Sequence, residues 1–323
     1  MRARLWLGCL LAFCATDAMA QDYPARTITM IVPSAPGGTL DALGRLMAQA
    51  MSPDLGRGVV IENVTGAGSL VGMQRIVRSD PEGYVIGFGN VGSMAANVAT
   101  TRDLGFDPRT DLTPISIVAN VPMVLAASSR SGVRELATLI SRIRERGEGV
   151  TFGTPGAGTT GHLAPAYLFT LIGSKALLVP YRGAGPAMSD LAAGTVDAMI
   201  DQSVALIPAH QGRTAVALAI TGPVRAAQMP DVPTFAEAGL PGFDMVIWNA
   251  IAGPRGMPPA VQQRLVRAIE AALASPAVIA RFADLASTMP PPEQRGPEAM
   301  RRRIAADVES WTQVVRSSGM ALQ

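Results

Sequence analysis

Residues 27–41 read Thr-Ile-Thr-Met-Ile-Val-Pro-Ser-Ala-Pro-Gly-Gly-Thr-Leu-Asp, a β-branched run that ends at Pro33 and a Pro/Gly loop that opens a helix. This segment constrains the chain most. A strand that turns directly into a helix must lay that helix against its own sheet. It also leaves the free N–H groups of the first helical turn above the strand's carboxyl end. The pattern recurs at 149–162, Gly-Val-Thr-Phe-Gly-Thr-Pro-Gly-Ala-Gly-Thr-Thr-Gly-His. Two such turns predict an α/β chain with two anion cradles, and together they suggest a clamp for a small anion.

The rest of the chain alternates in the same way. Apolar runs predict strands at 27–32, 58–62, 84–88, 121–127, 150–153, 176–181, 195–200, 214–221 and 245–252. Helical periodicity predicts helices at 39–51, 68–78, 134–145, 159–172, 184–193, 203–211, 259–274, 277–287 and 297–317. In the last helix Ile304, Val308, Trp311 and Val315 form one apolar stripe, with Arg301, Arg302, Asp307 and Arg316 off it. The extended segments near 121–128 and 245–253 read as strands crossing between two lobes. The expected division is a first lobe of 22–123 plus 246–323 and an inserted second lobe of 124–245.

The N-terminal residues read as an export signal. Arg2 and Arg4 precede the apolar run Leu5 to Phe13, and Ala18-Met19-Ala20 fits a cleavage site, which makes 1–20 a signal peptide and places the chain in the periplasm. Cys9 and Cys14, the chain's 2 cysteines, both fall in that segment. The remainder therefore offers no disulfide, no thiolate nucleophile and no cysteine metal site. The formal charge is +2, and +1 without Arg2, Arg4 and Asp17, so no general field attracts nucleic acid. Of 27 basic residues only Lys175 is lysine, which we read as composition bias rather than as a phosphate site.

Several chemistries fail on the residues they need. Gly153-x₄-Gly158-Thr159-Thr160 has the outline of a P-loop, but threonine stands at the lysine position. Gly156-x-Gly158-x-x-Gly161 matches a dinucleotide fingerprint. The next strand ends Val179-Pro180-Tyr181-Arg182, without the acid that would hold a ribose. No Gly-x-Ser-x-Gly elbow is present, and Ser69 in Gly66-Ala67-Gly68-Ser69 has the wrong spacing. With only His162 and His210 available, no metal site and no cofactor are expected. His162 either packs beside the second loop or faces a ligand, and His210 suits a helix end. Asp41 fits the first turn of its helix and is expected to hold the loop, since it would repel an anion. Asp201 closes a strand, where it either lines a cleft or caps the following helix. Trp248 is expected to pack.

Taken together the motifs have a likeness. Tyr23-Pro24-Ala25-Arg26-Thr27-Ile28 and Ile31-Val32-Pro33-x-x-Pro36-Gly37-Gly38-x-x-Asp41 begin the set. Glu62-Asn63-Val64-Thr65-Gly66-Ala67-Gly68, Asp80-Pro81-Glu82-Gly83-Tyr84 and Gly156-x-Gly158-Thr159-x-x-His162-Leu163-Ala164 continue it. Val179-Pro180-Tyr181-Arg182-Gly183-Ala184-Gly185-Pro186-Ala187 and Pro230-Asp231-Val232-Pro233-Thr234-x-x-Glu237-x-Gly239 complete it. In this order the chain resembles the periplasmic solute-binding proteins of tripartite tricarboxylate transporters, the Bug family.

The resemblance implies an α/β, two-lobed periplasmic-binding-protein-like fold of type II, with the ligand cleft between lobes and two crossing strands. It implies a monomeric, non-enzymatic receptor for a small mono- or dicarboxylate that serves membrane permease subunits or, alternatively, a membrane sensor. A periplasmic hydrolase or isomerase would need a paired nucleophile and base that the sequence lacks. By position the implied ligand-binding residues are Ser34, Gly37, Gly38, Thr39, Thr154, Gly158, Thr159 and His162, with Asn90, Ser93 and Asp201 beside them. The chain departs from the family at Asn63-Val64-Thr65-Gly66, Arg182 and Ala192-Ala193-Gly194, all expected outside the ligand loops. Thr159 and Thr160 stand where serine is common, which narrows the expected pocket.

Overall fold

The computed structural model describes residues 23–318, so the signal-peptide reading lies outside the described residues. The strands are β1 (Ile28–Val32), β2 (Val59–Asn63), β3 (Val85–Asn90), β4 (Leu112–Ser128), β5 (Thr151–Thr154), β6 (Leu177–Pro180), β7 (Ala198–Gln202), β8 (Ala215–Ile220) and β9 (Val246–Pro254). The helices are α1 (Thr39–Leu55), α2 (Leu70–Val77), α3 (Asn97–Thr100), α4 (Leu136–Arg146), α5 (Thr160–Ile172), α6 (Ala184–Ala193), α7 (Ser203–Gln211), α8 (Pro259–Leu273), α9 (Pro276–Asp284) and α10 (Gly296–Ser318).

Two sheets share one strand. The pairing order runs β2-β1-β3-β9-β4-β7-β5-β6, with β8 on the other side of β4. β1 is parallel to β2 and β3, and β5 is parallel to β6 and β7, as strand–helix–strand units require. β4 runs antiparallel to β9 from Leu112 to Pro122, then to β7 and β8 from Met123 onward. The handover falls at Pro122, which has no N–H to donate to a ladder. Met123 N–H is taken instead by the Thr221 hydroxyl at 2.8 Å, and that hydroxyl donates to Met245 C=O at 2.7 Å. The first crossing is therefore one continuous strand. At the second, the chain returns through Met245, and β9 pairs only with β3 and β4.

β4 begins nine residues earlier than its apolar run predicts. Pro114, Ser116 and Asn120 interrupt the hydrophobic pattern there, and the ladder to β9 shifts register at Pro114/Ser116 and Ile117/Ala119. These bulges absorb residues that a regular strand would reject. A π-helical turn, Gly92–Ala96, and α3 are also absent from the sequence reading. Their run of small residues has no helical period.

The helices cover the sheets as their stripes dictate. In α1, Leu43, Met47 and Met51 face Leu265 and Ile269 of α8 and Phe282 of α9 in one buried cluster. α1 stops at Gly56, whose φ of 67° is left-handed. A second cluster joins the two sheets, from Met73 and Ile76 of α2 through Leu125 and Phe152 to Leu168, and takes in Met300, Ile304 and Val308 of α10. A third packs Leu191 of α6 and Leu206 of α7 on Val124 and Met199. Trp248 packs in the core as expected, 1 % exposed, and its indole N–H reaches the Asp307 carboxylate. Truncating a side chain so placed typically costs about 3–5 kcal/mol.

Candidate functional site

Parallel strands end together, and in an open α/β sheet that is where ligands sit. Here β1, β3, β5, β6 and β7 all deliver residues at or just past their carboxyl ends to one cavity of about 410 Å³. Ser34 follows β1, Asn90 ends β3, Pro155 follows β5, Tyr181 and Arg182 follow β6, and Asp201 and Gln202 end β7. Of the residues implied by resemblance, Ser34, Thr39, Asn90, Ser93, Thr159 and Asp201 line this cavity. Gly37, Gly38, Thr154, Gly158 and His162 are not in its wall.

The first loop is tied down from behind. Gly37 N–H donates to Asp41 Oδ2 at 3.1 Å, and Asn63 Nδ2 donates to Asp41 Oδ1 and to Ser34 C=O, each at 3.0 Å. Arg45 pairs with Asp41 at 2.9 Å. Burial opposes ionisation of Asp41, but the bonds from Arg45, Gly37 and Asn63 outweigh it and hold the carboxyl below its usual range. Asp41 thus spends its charge on the loop. Helix α1 then begins at Gly38 with no side-chain cap, and Thr39 Oγ1 is buried beside it without a partner.

The second loop has the same build. Thr159 is the N-cap of α5, but its hydroxyl donates to Gly156 C=O at 2.6 Å instead of capping the helix. The first-turn N–H groups of α5 are thus left uncapped by a side chain, beside Thr160, which lines the cavity. His162 lies behind, its Nδ1 3.0 Å from Thr154 Oγ1, and burial pushes its pKa down, which keeps the ring neutral at neutral pH. His210 accepts Ala217 N–H at 3.2 Å.

The remaining wall comes from both sheets. Asn90 Oδ1 accepts the N–H groups of Gly92 and Ser93 at 3.0 and 3.3 Å, which fixes the π-helical turn against the cavity. Ala67, Gly68 and Ser69, with φ of 43°, 59° and 82°, form a left-handed turn in the cavity wall. Strain of this kind persists where the surroundings over-determine it, often at binding sites. At the end of β7, Gln202 Oε1 accepts Asn249 Nδ2 at 2.8 Å. Asp201 is 3 % exposed, with Oδ1 bonded to Gln202 N–H and Oδ2 unpartnered. Burial pushes its carboxyl up to about 7, against the pull of that backbone bond.

Two of the departures expected outside the ligand loops bear on the cavity from elsewhere in the chain. Arg182 is in the cavity wall, and Asn63 holds the loop that carries Ser34. No local sequence pattern signals this, because β6 and β2 reach the cavity only through the long-range packing of the sheets.

The cavity is partly open to solvent, and backbone meets backbone across it. Gly37 approaches Gly185, and a Cβ on Gly38 would stand 2.9 Å from Ala184 Cβ. A Cβ on Gly183 would stand 2.7 Å from Ala35 Cβ, and one on Gly92 would stand 3.1 Å from Thr160 N. A Cβ on Gly68 would overlap the carbonyl oxygen of Ala157 and lie 3.0 Å from its carbonyl carbon. Segments 35–38, 68 and 92 thus close on segments 157–160 and 183–185.

No cluster of metal-ligating side chains occurs among the described residues, and no described helix is long and apolar enough to cross a membrane.

The chain is similar to known proteins. The model of the tripartite tricarboxylate transporter family receptor matches residues 43–320. Protein BugT of Bordetella pertussis is 33% identical over 310 residues, covering 96% of this chain and 94% of BugT. MatC of Rhodopseudomonas palustris, solved with bound malate, superposes with a TM-score of 0.87 at 33% identity, over 91% of this chain and 100% of its own. Rpa4515 of R. palustris, solved with adipate, gives 0.88 at 32% identity, over 94% and 100%.

Proposed function

The chain belongs to the tripartite tricarboxylate transporter receptor family, a family of two-lobed solute-binding proteins rather than enzymes, and from that premise we propose that it captures a small organic mono- or dicarboxylate in the periplasm and presents it to membrane permease subunits. The observation that carries the reading is the pair of helix N-termini, α1 and α5, which lack side-chain caps and meet at one cavity beside the unpartnered Thr39 hydroxyl. Malate in MatC and adipate in Rpa4515 support the ligand class.

The physical chemistry suits a carboxylate. Each helix terminus favours a nearby anion by on the order of 1 kcal/mol, and each charge-assisted hydrogen bond adds about 1.5–3 kcal/mol. Several uncharged donors in a site closed to water can therefore hold an anion without a fixed counter-charge. Arg182 offers one cation at the wall for a second carboxylate. We assign Ser34, Thr39, Asn90, Ser93, Thr159 and Asp201 to direct contact. Gly37, Gly38, Thr154, Gly158 and His162 shape the two loops. Residues 23–123 with 246–318 act as one lobe and 124–245 as the other, and closure between them seals the cleft.

Calorimetry of ligand-stripped protein against aliphatic and aromatic mono- and dicarboxylates tests this. Saturable one-to-one binding of at least one acid is the expected result. Chemical conversion of a bound acid, or no binding across the panel, would reject the receptor reading.

A further inference from the structure

The receptor reading sets Asp201 against the ligand but does not say how a carboxyl meets an anion. A cleft for anions has a carboxyl at the end of β7, in its wall and 3 % exposed. Oδ1 is satisfied at 2.7 Å by the N–H of Gln202, and Oδ2 has no partner among the described residues. An ionised Oδ2 can only accept hydrogen bonds, and a ligand carboxylate can only accept them too. Two such groups enclosed together would repel each other without water to screen them. A protonated Oδ2 reverses this, because it becomes a donor to the ligand and fills its own missing bond.

We infer that Asp201 is the proton-binding group of the cleft, and that the protein takes up a proton from solvent with the carboxylate it captures. This rests on the carboxylate-receptor reading. The proton bridges Asp201 Oδ2 and a ligand oxygen, and the closed cleft holds the pair with one negative charge fewer than its parts.

The surroundings agree. The titratable groups on the helices packed against β7 are His162 and Tyr167 in α5, Asp190 in α6 and His210 in α7, with Tyr181 and Arg182 between β6 and α6 and Asp41 in α1. Asp190 accepts from the Tyr181 hydroxyl and Asp41 is paired with Arg45, so both carboxylates are engaged elsewhere. Burial raises the Asp201 carboxyl to about 7, moderated by the Gln202 N–H. The group is therefore poised to change protonation at the pH of an exported protein's surroundings, and an anion arriving at Oδ2 pushes it further toward the protonated form.

The test is titration calorimetry with malate and with adipate, from pH 6 to 8.5, in buffers of different ionisation enthalpy. Over most of this range both acids are ionised and His162 is neutral. Wild type should take up almost no protons per ligand at pH 6 and close to one at pH 8. Its Kd should weaken toward tenfold per pH unit above about pH 7. Asp201→Asn, which carries a permanent amide donor, should bind with no proton uptake and a Kd independent of pH. Wild-type binding with no proton uptake, or with proton release, overturns the inference and leaves the receptor reading intact. If neither acid binds, the same titrations are run with whichever acid of the panel binds, and failure of every acid to bind wild type at any pH overturns the receptor reading and this inference with it.

Discussion

Replacing Gly68 with alanine separates closure from folding. Gly68 has a φ of 59°, and an added Cβ would overlap Ala157 C=O from the opposite side of the cleft. Two costs follow, and they act on different states. The left-handed backbone penalty, about 1 kcal/mol, applies whether the cleft is open or closed. The overlap applies only when the segments at 68 and 157 meet. A Cβ 3.0 Å from the Ala157 carbonyl carbon, with the oxygen nearer still, forces the seam apart or the loops aside. Overpacking of that sort costs on the order of 1–3 kcal/mol. If ligand binding requires closure, the cost passes into affinity, as roughly a 5- to 150-fold rise in Kd. Gly56→Ala is the control, since Gly56 has a φ of 67° and nothing within 4 Å of the new Cβ. Calorimetry with malate or adipate reads Kd, small-angle scattering reads compaction on binding, and thermal denaturation reads the shared strain. Gly68→Ala should lose affinity and compaction, while Gly56→Ala loses only stability. Equal Kd values for the two variants would refute the claim that these backbones meet in the bound state.

Removal of the Asp41 carboxylate in Asp41→Ala frees Gly37 N–H and Asn63 Nδ2 and should destabilise the protein by about 1–3 kcal/mol in urea unfolding at pH 7. Because Asp41 is held below its usual range, its contribution is present at neutral pH and fades as pH falls through its folded value, so wild type and variant should converge in acid. Asp201 has the opposite sign. Its folded carboxyl stands at about 7 against an ordinary 3.8, so the stability it contributes is full below about pH 4 and lost as pH rises through 7. Asp201→Asn should therefore melt higher than wild type at pH 8, with an upper limit of about 4 kcal/mol, and match it near pH 4. Arg182→Gln should weaken a dicarboxylate more than a monocarboxylate of the same length in parallel calorimetry, and equal losses for both would remove Arg182 from ligand recognition.

Much of this architecture is legible in the sequence, and the reason differs between fold and site. Strands such as Ile28–Val32 and helices such as Gly296–Ser318 announce themselves because their burial follows a local period. The first half of β4 does not, because bulges at Pro114/Ser116 and Ile117/Ala119 break that period while the ladder to β9 carries on. In the site, both Gly-rich turns are readable, since close backbone approach demands residues without side chains. Whether a given glycine touches a ligand or the opposite loop is not a local property. Gly38 faces Ala184, which is far from it in sequence. Arg182 and Gln202 escape for the same reason, because their places in the wall depend on how the two sheets fold together around β4. Its place at a strand end singles out Asp201, but its missing hydrogen bond is a property of the folded chain alone.

A crystal structure of the protein with its bound acid tests the central claim most directly. The account predicts a ligand carboxylate within hydrogen-bond distance of Thr39 Oγ1 and of first-turn N–H groups of both α1 and α5, with Gly68 against Ala157. A ligand bound outside this cavity, or held there by side-chain charges while both helix N-termini stay unengaged, would contradict it.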